Sequence, residues 1–144
     1  MTRRSLPDLN VLIALTDPDH EFNSKAREWF ASRRGVWGLC PFTEAGYLRI
    51  TTNPAIHRAV RSLEQSKAIL QSLKGFADHL YWEITASWVE LTARFASRIQ
   101  GHQQVTDAYL LGLAIREDGV LVTFDKGLRF MAGAEFSRNL LILD

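Results

Sequence analysis

Apolar residues recur along this chain in two alternating rhythms. Short, nearly uninterrupted runs lie at 5–9, 36–40, 80–84, 119–124 and 140–143, and each predicts a strand. Between them the apolar positions return every three or four residues. A buried helical turn follows the first strand at 11–15, and Asp17-Pro18-Asp19 breaks the chain. Phe22, Ala26, Trp29 and Phe30 mark one face of a helix over 20–34, closed by Gly35. The next helix opens at Thr43 and is stopped near Thr52 by Asn53-Pro54. Val60, Leu63, Ile69, Leu70 and Leu73 predict a long helix over 56–75. Trp88, Leu91, Phe95 and Ile99 predict another, and 106–117 is a helix apolar on nearly every side.

Strand and helix in alternation specify an α/β chain: a three-layer α/β/α sandwich with a mostly parallel central sheet. The run at 119–124 is the most continuous and takes a central place in that sheet. No repeat, low-complexity tract or flexible linker divides the sequence, so residues 1–144 are expected to form a single domain.

Composition narrows the class. With 47% hydrophobic and 23% charged residues, the chain has the make-up of a globular protein rather than a disordered one. A single cysteine, Cys40, excludes an internal disulfide framework and any multi-cysteine zinc site; within its apolar run it reads as a small buried hydrophobe. The N-terminus carries no export signal, and the longest later apolar run is about half of a bilayer span. A cytoplasmic protein without membrane contact is expected. A net charge of +1 does not by itself announce a nucleic-acid binder.

Position, more than composition, points to chemistry. Asp8, Glu44, Asp107 and Asp125 stand in LPDLNVLIAL, PFTEAGYLRI, QVTDAYLLGLA and LVTFDKGL. Asp8 and Asp125 close predicted strands, whereas Glu44 and Asp107 open predicted helices. In βαβ units those places share the carboxyl edge of the sheet, where ligands bind in open α/β folds. Taken singly, each acid also suits a structural role, as a helix cap, a first-turn carboxylate or a turn residue. As a set they conflict: two carboxylates about 5 Å apart repel by roughly 3 kcal/mol at an effective dielectric of 20. A cation resolves the conflict, and oxygen donors without His or Cys suit Mg²⁺ or Mn²⁺.

Neighbouring polar residues admit two readings each. Thr123, two before Asp125, either orients a metal-bound water or is a β-branched strand residue. Asn10 either hydrogen-bonds a neighbouring acid or shapes the turn. The histidines at 20, 57, 79 and 102 lack zinc-site spacing, and no Walker A, GxSxG or GxGxxG motif occurs. Arg58 and Arg61 are candidates for a phosphate-tracking rim, set against the default of a solvated helix face. Arg94 and Arg98 fit that default, with Glu90 to Arg94 a favourable helix pair. The four tryptophans read as core or subunit contacts.

These segments, with their order and spacing, resemble the PIN-domain ribonucleases, specifically the VapC-type toxins of toxin–antitoxin pairs. LPDLNVLIAL resembles the first family motif, with Asp8 and Asn10. TEAGYLRITTNP resembles the second, with Thr43 and Glu44; VTDAYLLGLA the third, with Asp107; VLVTFDKGL the fourth, with Thr123 and Asp125. Pro7 departs from the usual central strand and leaves the end of the first strand open. The resemblance implies a homodimeric, Mg²⁺- or Mn²⁺-dependent endoribonuclease acting on RNA such as tRNA or rRNA, with a small antitoxin protein as partner. On that reading Asp8, Asp107 and Asp125 hold metal, and Glu44 is a further ligand or the proton acceptor. One alternative is a catalytically inactive PIN-like module that binds RNA or protein. A receiver-like regulator, the other alternative, fits the spread of acids poorly.

Overall fold

The computed structural model describes residues 3–56, 61–84 and 86–144. Its sheet joins β1 (Ser5–Pro7), β2 (Val120–Thr123) and β3 (Leu140–Ile142), all parallel, with β2 in the middle as its apolar continuity predicts. Leu121 and Val122 are both inaccessible to solvent and pack into different cores, so both faces of β2 are covered. Pro7 ends β1. Its missing N–H falls on the side of residues 36–40, away from β2, so the bond on the β2 side, from Asp8 N–H to Val122 O, is still made at 2.8 Å.

The run at 36–40 shrinks to one bridging residue, Trp37, which pairs with Ser5 on one side and with His79 on the other, just before the run at 80–84, which holds no strand residue. Hydrogen bonds nevertheless extend the ladder outward from β1, from Gly38 N–H to Ser5 O (3.0 Å), Leu80 N–H to Trp37 O (2.7 Å) and Trp82 N–H to Leu39 O (2.8 Å). The two outer segments cross very closely at Gly38, where a Cβ would lie 1.8 Å from the Leu80 carbonyl oxygen.

Helices cover both faces. On one lie α1 (Leu9–Thr16), α2 (Asn23–Ser32), α3 (Pro41–Thr51) and α4 (Leu63–Lys74), burying Leu12, Trp37, Leu39 and Tyr47 in one cluster and Val11, Ala26 and Trp29 in another. On the other lie α5 (Trp88–Thr92), α6 (Val105–Arg116) and α7 (Leu128–Ala132), around Leu6, Trp82, Phe95, Leu111 and Met131. This is the three-layer α/β/α arrangement predicted from the alternation of runs.

Several helix bounds differ from the sequence reading, each for a local reason. The helix expected from residue 20 starts at Asn23, because Asp17 Oδ1 and His20 Nδ1 take the N–H groups of Asp19 and Phe22 and hold a turn. The helix expected over 56–75 starts at Leu63, behind a reciprocal cap between Ser62 and Gln65; Val60 lies outside the described residues. The helix through Trp88 and Ile99 ends at Thr92 and resumes as a 3₁₀ turn at Ala96–Arg98. The five-residue α7 has no counterpart in the sequence reading.

Gly112 sets the distance between α5 and α6: a Cβ there would meet Leu91 O at 2.6 Å and Leu91 Cβ at 2.9 Å. Gly112→Ala is therefore expected to destabilise the fold by about 2 kcal/mol through overpacking. Urea denaturation checks it; an unchanged midpoint contradicts the close approach.

Candidate active site

Asp8 sits where β1 ends and α1 begins, only 5% exposed. Its Oδ1 caps α1 by accepting the Leu9 N–H (2.7 Å), and its Oδ2 accepts the Thr123 hydroxyl (2.8 Å). Burial pushes the carboxyl above the usual range; those two hydrogen bonds oppose the shift, and the charge of Asp125 adds to it. Thr123, fully buried at the end of β2, is the hub. Its Oγ1 also accepts the Asn10 side-chain amide (3.3 Å) and the Asp125 N–H (3.1 Å). Asn10 Oδ1 in turn accepts the Phe124 N–H at 3.4 Å. Asn10 bonds Thr123 and the Phe124 N–H rather than an acid, which is the turn-shaping reading, while the Thr123 hydroxyl is spent on Asp8, a contact neither of its two readings named.

Asp125 follows β2 in a turn in which its Oδ1 accepts the Gly127 N–H at 2.9 Å. Asp107 lies in the first turn of α6, partly buried. Its pKa is raised to about 7, first by burial and then by the charges of Asp8 and Asp125. Three aspartates remote in sequence thus share one electrostatic neighbourhood at the carboxyl edge of the sheet.

Glu44 does not join them, and the expectation that all four acids converge is corrected here. On α3 the residues facing the aspartates are Phe42, Ala45, Gly46 and Arg49, while Glu44 and Leu48 face the flank toward α4. There Glu44 Oε1 accepts the Tyr81 hydroxyl (2.7 Å) and Oε2 pairs with Lys74. One residue of helical phase, about 100°, separates the two faces. Thr43 is buried and serves the start of α3, its hydroxyl bonding both Cys40 O and Cys40 N–H at 3.0 Å. Arg58 lies outside the described residues. Arg61, partly buried, is committed to the fold, donating to Tyr47 Oη (2.7 Å) and to Thr16 O (2.9 Å), at the end of α1 opposite Asp8. The rim expected of Arg61 is replaced by a clasp between α1 and α3.

The donor set suits a hard cation: carboxylate oxygens only, two of them on residues destabilised as anions by burial and by one another. Among the described residues, however, no three acidic, histidine or cysteine side chains stand close enough to grip one ion between them. The fit is to a cation that keeps much of its water, which is the habit of Mg²⁺.

A cavity of about 330 Å³ opens over Asp8 and Asp107. Arg49 and Phe42 also line it, and sequence reading passed over both. The detectable signal was the spacing of 42, 45, 46 and 49 on one face of a helix already assigned to the site.

Residues 6–134 match the family described as PIN domain. The ribonuclease VapC38 of Mycobacterium tuberculosis is 36% identical over 129 residues, spanning 89% of this chain and 89% of its own. The structure of VapBC2 from Rickettsia felis, bound to a promoter DNA fragment, aligns with a TM-score of 0.62 at 14% identity, over 98% of this chain and 97% of that one. That of M. tuberculosis VapC20, a toxin cleaving the sarcin–ricin loop, aligns with a TM-score of 0.62 at 18% identity, over 90% and 95%.

Proposed function

This chain belongs to the PIN-domain family, in its VapC branch, and from that premise we propose that it is an RNA-cleaving toxin that hydrolyses phosphodiester bonds as a metal-dependent endoribonuclease. The observation carrying the proposal is that Thr123 ties Asp8 to the Asp125 backbone while Asp107, from a third segment, feels the charges of both. Asp8, Asp107 and Asp125 would hold Mg²⁺ or Mn²⁺, partly through water. Such an ion, when bound, lowers the pKa of an attacking water and balances charge on the leaving oxygen. The chain's own part is orientation. Thr123 and the Leu9 N–H fix both oxygens of Asp8, and Asn10 holds the loop after β2 in place. Hydrolysis by this route leaves a 5′-phosphate and a 3′-hydroxyl.

The wider reading includes an antitoxin protein as partner, supported by the fold shared with VapBC2, and a homodimer of single-domain chains acting in the cytoplasm on tRNA or rRNA. Among the described residues no helix is long and apolar enough to cross a membrane. One observation favours a second reading, an inactive module that binds RNA: Glu44 is engaged by Lys74 and Tyr81 instead of by the acid cluster. Incubating purified protein with RNA across a Mg²⁺ titration, and mapping the product ends, decides between them. Binding without cleavage at any Mg²⁺ or Mn²⁺ concentration selects the inactive module.

A further inference from the structure

The wall of the acidic cavity carries one feature that the metal chemistry leaves unused. Arg49 is exposed on α3 and lines the same cavity as Asp8 and Asp107. Among the described residues, no carboxylate or carbonyl takes a hydrogen bond or ion pair from its guanidinium, in contrast to Arg61, which is engaged by Tyr47 and Thr16. A guanidinium facing an acidic hollow without pairing to it keeps its fork of N–H donors for an outside anion.

Phe42 stands on the same stripe of α3, seven residues earlier, which is about 10 Å along the helix axis. Its ring is 44% exposed, and it is braced edge-on by Tyr109, with centroids 4.9 Å apart at 61°. A half-exposed ring fixed by a buried neighbour offers a stiff apolar face at the cavity mouth. Between them Ala45 and Gly46 add almost no bulk, and Gly46 lies close over Leu9, whose Cδ2 a Cβ would meet at 2.8 Å. The stripe therefore reads, in order, aromatic face, low floor, cation, with the aspartates alongside.

We propose that Phe42 and Arg49 form a clamp for single-stranded RNA, in which the ring stacks on an unpaired base and the guanidinium holds a backbone phosphate next to the bond over Asp8 and Asp107. The inference rests on the nuclease reading for its ligand and deepens it. Stacking on Phe42 requires a base free of its partner, so the clamp selects loops and unpaired stretches over duplex. Arg49 offsets the negative cavity where the phosphate enters, and a planar fork can take two phosphate oxygens where an ammonium takes one.

The test uses the full chain and a short fluorescent RNA, presented single-stranded or annealed to its complement. Arg49→Gln, Arg49→Lys, Phe42→Leu and Phe42→Trp are compared with the unaltered protein in steady-state cleavage with Mg²⁺, in binding across a salt series, and in thermal melting. Arg49→Gln is expected to raise KM about tenfold with little change in kcat, and to make the salt dependence of binding shallower by about one unit of log–log slope. Arg49→Lys should recover only part of the loss. Phe42→Leu should raise KM for single strands about tenfold while Phe42→Trp keeps it, since alanine-scale loss of one stack is worth about that much. Melting temperatures of the Arg49 variants should match the parent.

Unchanged KM and salt slope for Arg49→Gln in an active enzyme overturn the clamp and leave the acid site standing; that is also the result if Arg49 serves a protein partner. A fall in melting temperature with no change in RNA binding overturns it as well, by assigning Arg49 to the fold. If the parent protein binds RNA but never cleaves it, the hydrolytic reading fails, and the salt slope of Arg49→Gln still decides the clamp.

Discussion

Asp8→Asn is expected to reduce Mg²⁺-dependent RNA cleavage by about 10³-fold while leaving the fold intact, because it removes one charge from the cation's surroundings and keeps the shape. The asparagine oxygen can still accept the Leu9 N–H and cap α1, so secondary structure and solubility should not change. What is lost is the second anionic oxygen, which faces Thr123. Single-turnover cleavage of a labelled RNA at saturating Mg²⁺, beside a melting curve, gives the answer. Cleavage within threefold of the parent in a folded variant would falsify the role given to this residue.

Asp107→Asn is expected to do two things at once: abolish cleavage and make the metal-free protein more stable. The carboxyl titrates near 7 in the folded chain against 3.8 for the ordinary group. Below the ordinary value both states are protonated, and the group costs the fold nothing. As pH rises from there toward 7, the unfolded chain ionises freely and the folded one resists, so stability drains away; above about 7 the whole cost is present. Discounted for partial exposure and for the favourable dipole of the first turn of α6, the cost is about 2 kcal/mol. For a chain of this length that is a rise of roughly 5 °C in Tm for the variant. The gap between variant and parent should vanish near pH 4, be full at pH 8, and narrow when Mg²⁺ is added at pH 8. A variant that melts lower than its parent at pH 8 contradicts the crowding of these acids.

Much of this arrangement was legible in the residues, and the gaps have physical causes. Strand ends and helix starts are local matters of pattern and capping, so Asp8, Asp107 and Asp125 could be placed on one sheet edge before any coordinates. Asn10 and Thr123 were legible as candidates but not as a network, since their bond joins residues 113 apart. Glu44 was misplaced because a motif records position and not helical phase; its partners Lys74 and Tyr81 come from segments whose packing no local pattern reveals. The run at 36–40 was read as a strand, and the structure keeps its hydrogen bonds to both neighbours but only one bridging residue, Trp37. Helices were overextended wherever a polar side chain preferred a nearby N–H, as at His20 and Ser62.

The hydroxyl of Thr123 has one hydrogen to give and two lone pairs to fill. The hydrogen goes to Asp8, and the lone pairs are taken by the Asn10 amide and the Asp125 N–H. The circuit consequently runs one way only, and a proton arriving on that oxygen of Asp8 would find no acceptor in front of it. Wiring of this kind favours the anion and so opposes, without cancelling, the upward push of burial on that acid, and valine, with the same outline as threonine, would sever all three connections.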